Sequence, residues 1–514
     1  MTFQKSPTFI ALLIAAAAFV PVLFPTDARS QTPTQPVTNP VTPPQTPPVT
    51  QQPNQKPGQP AGKRPPKPSG GSLAPPVTSQ PGTPAAKPAT VGELILRERE
   101  REMILTVSIQ VHADNVSQTT PHTDGKKTVN MPKITPFSYG TLGVVFPIIG
   151  ETASSKPERV RSGQKGTPIA EQSGPRGVLT LDDAIVDDEV TVLADYPSGT
   201  DLGRWDAGSN GSTAEARQMK LEVTIPVTLY RTVFNEVEAS KLGWPTSYPK
   251  VAQSTFTPQM FVEKGLDEDG KVAPFDEAPL NKALEIWKKE WGITEFTQVR
   301  PVALAKMIAA KVWETVQPTG DGLTMRARTG ELSGIKLQAP AETLVTGRGS
   351  EHDLTVLLAV LYRKAGLPTR TVIGFDVGVD DNKFLGKGSK NNRIRTWVEF
   401  FLFDEAANTY NWIPVDIVNL RRSSSRPQKI DRPWKYFGTN DELDRVVPFA
   451  FQFHPPTDVV AYGSPGFWGW FVTPQPPAAA EQALMFRASA ASKRLGDQQE
   501  KEGDDAKKPT KRRN

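Results

Sequence analysis

The sequence predicts an α+β fold: an all-β, sandwich-like domain first, then a segment in which helices and strands are mixed. Three observations carry that prediction. Leu105, Val107, Ile109 and Val111 alternate along one segment and Leu221, Val223, Ile225, Val227 and Leu229 along another, and a period of two puts one face of a strand in a core. Further on the period lengthens, with Leu280, Leu284, Trp287 and Trp291, then Leu304, Ile308 and Val312, recurring at helical spacing. A third helix is expected over His352–Ala365, closed by Gly366 and Pro368, leading directly into a strand at Thr369–Phe375.

In chain order, Lys5 precedes an apolar stretch from Phe9 to Phe24, and Ala28-Arg29-Ser30 supplies small residues before Gln31. That is the layout of a secretory signal peptide over residues 1–30. Spanning a bilayer takes roughly 20 apolar residues, and this stretch is shorter and broken by Pro21. A retained N-terminal anchor is the alternative. No other segment is apolar enough to cross a membrane, so the expected location is periplasmic or extracellular. Residues 31–90 are Pro, Gln, Thr, Val and Gly with few large apolar side chains, too little to offset chain entropy, and read as a disordered tether. Patterns such as Pro44-Gln45-Thr46-Pro47 also suit a proline-recognising groove.

The all-β domain is expected over residues 91–254, with further strands at Leu142–Ile149 and Val190–Leu193 and surface loops at Thr152–Gly166 and Gly208–Ala214. Pro226 inside an alternating run argues for an edge strand or a bulge. The mixed domain is expected over 255–432, its second helix opened by Pro301. A β-rich extension (433–475) and a disordered, charged tail (476–514) follow. Trp468, Trp470 and Phe471 either form an exposed aromatic patch or, the blander account, belong to a terminal strand packed on the β-domain.

At 514 residues the chain has room for two domains of ordinary size. It contains no cysteine, which removes disulfides, thiolate metal sites, lipidation through a cysteine and thiol nucleophiles together. A formal charge of +5 with scattered basic residues gives nucleic-acid binding no footprint. The cluster Lys507-Lys508 and Lys511-Arg512-Arg513 reads as part of a solvated tail. His112, His122, His352 and His454 fall in no ligand spacing, so neither a metal nor a cofactor is expected.

One constellation carries chemical information. Gly349-Ser350-Glu351-His352-Asp353 opens a helix that runs to Ala365-Gly366-Leu367-Pro368-Thr369-Arg370; Arg395-Thr396-Trp397-Val398-Glu399 follows, then Trp412-Ile413-Pro414-Val415-Asp416. In this order the blocks resemble the helix that carries the nucleophile, the His-x-Trp-x-Glu strand and the Trp-x-Pro-x-Asp strand of the transglutaminase-like (papain-like) superfamily. Tyr436-Phe437-Gly438 and Asp444-Arg445-Val446 resemble the tail of its bacterial exported members. The resemblance implies a transglutaminase-like core preceded by the β-domain. In that family a cysteine at a helix N-terminus attacks a carbonyl, a histidine shuttles protons, and an aspartate orients the histidine. Here the three positions fall on Glu351, Arg395 and Asp416, so only the aspartate is kept.

A guanidinium stays protonated near neutral pH and offers no acceptor lone pair, so Arg395 cannot act as the base. The expectation is a pseudoenzyme in which Glu351, Arg395 and Asp416 form a structural ion cluster. The plainer reading makes Glu351 a first-turn acid and Arg395 a surface residue. Ser350 with Asp353 suits a capping box; used instead as a nucleophile, Ser350 or Glu351 would support residual amide or peptide hydrolysis or acyl transfer. Ser350, Trp397 and Trp412 are candidates for lining a cleft, and a protein, peptide or glycan of the cell envelope is the expected partner.

Overall fold

Long alternating runs build long paired strands, and these dominate the first half of the molecule. The computed structural model describes residues 88–124, 127–157, 175–193, 200–208, 213–258, 276–325, 331–378, 382–385, 394–451, 453, 467–473 and 480–491. The expected signal segment, nearly all of the proline-rich stretch, His454 and the basic cluster at 507–513 lie outside these residues.

The first strands are β1 (Thr90–Val91), β2 (Ile95–Asp124), β3 (Thr141–Ile149), β4 (Arg176–Leu181), β5 (Ala184–Asp187), β6 (Thr200–Gly208) and β7 (Gln218–Phe234). Strands β2 and β7 pair antiparallel from Ile95 opposite Phe234 to His112 opposite Gln218. Leu105, Val107, Ile109 and Val111 of β2 are buried, as are Leu221, Val223, Ile225, Val227 and Leu229 of β7. A second sheet of four strands contains β3 and β6, and its Phe146 and Trp205 share one buried cluster with Val107 and Leu221. The two sheets approach closely at Gly177 of β4, where an added Cβ would lie 2.2 Å from the Trp205 ring.

The mixed segment then supplies α1 (Ala278–Trp291), α2 (Pro301–Thr315), β8 (Leu332–Ile335), α3 (Glu351–Lys364), β9 (Thr369–Asp376), β10 (Asn382–Leu385), β11 (Ile394–Asp404), β12 (Thr409–Val415), α4 (Ile417–Ser423) and β13 (Val446–Ala450). Gly366, at φ +90°, ends α3 as expected, with the Gly366 N–H donating to the Arg363 carbonyl. Strand order in the resulting five-stranded sheet is β1-β12-β11-β9-β13. Helix α3 packs on one face, where Tyr362 meets Phe400 edge-on and its hydroxyl donates to the Ala305 carbonyl of α2.

Strand pairing decides three expectations. Pro226 was expected to mark a strand at an edge or one with a bulge; β7 is an internal strand, paired with β2 on one side and with β4 and Ser155–Pro157 on the other, and its register against β2 shifts between Leu229 and Arg231. The proline is tolerated because β4 stops opposite Thr224 and Ser155–Pro157 begins opposite Val227, so position 226 falls in the gap between them. The stretch Ala480–Ala490, assigned to a disordered tail, is a strand. Labelled β15, after β14 (Gly469–Thr473), it pairs with β2 from Ala480 opposite Ala113 to Ala490 opposite Met103. Its buried Leu484, Phe486 and Ala488 alternate, a period-two signal that the charged residues beyond it obscured. Finally, of the two accounts of Trp468 and Trp470 the structure bears out the terminal strand packed on the β-domain: both are buried, and β14 pairs with β3. Strands β8 and β10 also join β15 in the ten-stranded sheet, which therefore crosses the expected boundaries near residues 254, 432 and 475.

Candidate functional site

The start of α3 is fixed by a reciprocal cap. Ser350 Oγ accepts from the Asp353 N–H at 3.2 Å, and Asp353 Oδ2 accepts from the Ser350 N–H at 2.7 Å. Asp353 Oδ1 also accepts from the Gln338 N–H at 2.8 Å. Ser350 is buried and its oxygen is used by the helix. His352 turns away from it: His352 Nδ1 lies 3.1 Å from Thr396 Oγ1 on β11. Burial drives the His352 pKa down to about 4, with Asp321 opposing weakly. A histidine held neutral against the sheet is not poised to take a proton from Ser350.

Glu351 forms an ion pair with Arg422 of α4. Burial raises its pKa, and Asp416 and Asp321 add to the rise against the pull of Arg422. Arg395 is 14% exposed and faces three carboxylates: Asp416 at 2.5 Å, Glu442 at 3.2 Å and Asp376 at 3.4 Å. Burial opposes its charge, but Asp416, Asp376 and Glu442 outweigh that and hold the guanidinium above its ordinary value. Asp416 caps α4, accepting from the Asn419 N–H at 3.0 Å and from Asn419 Nδ2 at 2.9 Å. Glu442 accepts from the Tyr436 hydroxyl at 2.9 Å and pairs with Arg445 at 2.9 Å. Burial works against the Glu442 charge; Tyr436, Arg395 and Arg445 together prevail and hold its carboxyl below the usual range.

The structure thus brings Arg395 and Asp416 together and leaves Glu351 in a separate pair, so the expected three-membered cluster is replaced by one guanidinium among three acids. The geometry explains the difference. Strand β11 alternates: Thr396 and Phe400 meet His352 and Tyr362 of α3, so Arg395, Trp397 and Glu399 project from the other face. Trp397 is fully buried and its Nε1 donates to Glu399 Oε1 at 3.4 Å. Trp412 packs on Arg370, whose central carbon lies 4.0 Å from the ring centre. Ser350, Trp397 and Trp412 therefore do not converge on one cleft. Asp376, Glu442 and Arg422 escape a sequence reading because they come from separate loops and elements, and Tyr436 enters it only within the block Tyr436-Phe437-Gly438, with no role. In the structure Tyr436 is a non-glycine residue at φ +67°, a backbone state concentrated at ligand and switch sites. No group of acids and histidines suited to a metal occurs among the described residues.

Residues 323–417 match the family model of the transglutaminase-like superfamily, and this stretch includes α3, β9, β11, β12 and Asp416. The chain carries a transglutaminase-like domain. A search of curated proteins returns no match. Similar solved structures include a candidate cysteine protease from Cytophaga hutchinsonii (11% identity, 77% of this chain and 93% of that chain, TM-score 0.40). The periplasmic domain of TgpA from Pseudomonas aeruginosa is 14% identical over 63% of this chain and 91% of that chain, with a TM-score of 0.23. A candidate protease from Parabacteroides distasonis is 11% identical over 61% and 59%, with a TM-score of 0.20. Likeness at this level carries no functional argument. Among the described residues no helix is long and apolar enough to cross a membrane.

Proposed function

We propose that this is an exported pseudoenzyme whose transglutaminase-like domain serves as a scaffold or binding element for a protein, peptide or glycan of the cell envelope. One observation carries the reading: the Arg395 guanidinium, which motif resemblance sets at the seat of the proton shuttle, is clamped by Asp416, Glu442 and Asp376. Such a group has no lone pair with which to accept a proton. The absence of cysteine leaves no thiol to activate, and the Ser350 hydroxyl is committed to the cap of α3. Export is supported by the charged, apolar and small-residue order of residues 1–30, and the proline-rich stretch acts as tether.

The purified chain is expected to show no amine incorporation or peptide hydrolysis, and Ser350 no labelling by a fluorophosphonate. Turnover abolished by Ser350→Ala or Glu351→Gln would overturn the proposal. A second arm checks the alignment of roles: the double variant Glu351→Cys with Arg395→His should give a thiol that alkylates at pH 6, below the ordinary thiol pKa of about 8.5, whereas Glu351→Cys alone should not. Equal alkylation of the two would show that position 395 does not serve position 351.

A further inference from the structure

A cavity of about 660 Å³ opens on the face of the five-stranded sheet turned away from α3. That volume lies within the range of small-molecule sites, roughly 300–1,000 Å³. Val91, Val251 and Trp412 give it apolar walls; Arg97, Glu151 and Arg370 give it polar ones. None of Glu351, Arg395 and Asp416 lines it. Arg395 stands four residues from Glu399 along β11, about 13 Å at the strand rise, so this is a separate place in the fold.

Arg370 decides what the cavity can hold. Its side chain is only 5% exposed, and one edge of the guanidinium is locked: Nε and Nη2 donate to Glu399 Oε2 at 2.9 and 2.6 Å, and Nη2 also donates to the Glu151 carbonyl at 2.9 Å. The ring centres of Trp412 and Phe451 lie 4.0 and 4.1 Å from its central carbon. The other edge is not used, for Nη1 makes no hydrogen bond among the described residues. A fixed guanidinium edge with no protein acceptor is the geometry that receives a carboxylate. Glu399 does not compete on that side, because its other oxygen accepts from the Ala153 N–H at 2.9 Å and from Trp397 Nε1 at 3.4 Å. Arg97 and Glu151 pair with each other at 3.2 Å and cancel at the lip.

We propose that this cavity binds a small organic carboxylate with an apolar body, the carboxylate on Arg370 Nη1 and the body against Trp412, Val91 and Val251. The site stands whether or not the domain is catalytically inert. It is tested by titrating the full chain with 3-phenylpropionate and with 3-phenylpropionamide, followed by tryptophan fluorescence and ligand-observed NMR. The acid should bind at least about ten-fold more tightly than the amide, ~1.4 kcal/mol. Val251 is 43% exposed, so Val251→Trp should block the cavity without disturbing the core and remove binding of the acid. The variant Arg370→Met with Glu399→Gln, which leaves neither ion unpaired, should bind acid and amide alike. Indistinguishable binding of acid and amide by the native chain, undiminished binding by Val251→Trp, or no saturable binding of the acid would each overturn the proposal. Should the double variant fail to unfold cooperatively, the Val251→Trp comparison decides the matter.

Discussion

Arg370 and Arg395 both meet acids on the same face of one sheet, and their surroundings differ in kind. Arg370 has one carboxylate partner, Glu399, and the pair is sealed at 5% and 0% exposure. Arg395 has three, each partly open or held by a second group. Burial dominates at Arg370 and pulls its pKa below the ordinary value, whereas at Arg395 the acids outweigh burial and the shift is upward. At Arg370 a single acid holds one edge of the guanidinium and leaves the other to the cavity. At Arg395 the cation is outnumbered by acids at a partly open edge, and it lines no part of that cavity.

The comparison breaks most directly at Glu399. Glu399→Ala strands the buried Arg370 guanidinium and also removes the acceptor for the Ala153 N–H and for Trp397 Nε1. Removing one member of a buried pair costs about 3–5 kcal/mol, so the urea midpoint should fall steeply. A loss under about 1 kcal/mol would place this pair with surface ion pairs and erase the contrast with Arg395.

Next in size is a pH effect on the α3 side of the sheet. His352 is buried against Thr396 and the Phe453 ring, 5.6 Å between centres, and its Nε2 has no hydrogen-bond partner among the described residues. Its pKa falls from 6.5 to about 4 on folding, so the fold selects the neutral ring. Stability is then full above pH 6.5 and declines as the pH falls toward 4, by up to about 3 kcal/mol. His352→Asn should flatten that limb between pH 7 and pH 4.5; an unchanged slope would assign it to other groups.

Ser350→Ala addresses the start of the same helix. The lost side-chain acceptor for the Asp353 N–H should cost about 1 kcal/mol, as for other N-caps. This cap was legible in the sequence because both partners sit within four residues. So were α1, α2, α3 and the strand that follows it, where period and punctuation are local. Of the acids around Arg395, only Asp416 was; Asp376 and Glu442 were not, nor was Arg422, the partner of Glu351. Asp376 ends β9, Glu442 stands before a short turn of helix, and Arg422 lies on α4, and nothing in one sequence says that segments this far apart will meet. The alignment of Glu351, Arg395 and Asp416 as a triad rested on motif spacing, and spacing does not record that Glu351 turns to Arg422 instead. Strand β15 was hidden for a different reason: its three inward residues are few, and the charged run after it dominates any composition window.

Glu442→Gln should have the smallest effect and the most diagnostic one. Arg395 keeps Asp416 at 2.5 Å and Asp376 at 3.4 Å, and Glu442 is 25% exposed, so near neutral pH the change should stay within about 1 kcal/mol of zero. The acid limb distinguishes the two regions more sharply. Tyr436, Arg395 and Arg445 prevail over burial and hold the Glu442 carboxyl below its ordinary 4.5, so its share of stability is present above that pH and lost as the pH falls below it. His352 acts in the window above, between 6.5 and about 4. Glu442→Gln should therefore leave the upper window unchanged and shallow the lower one, read as the urea midpoint from pH 7 to pH 3. A change confined to the upper window would mean that the Arg395 cluster and the α3 face titrate as one unit, against the separation of the two faces of β11.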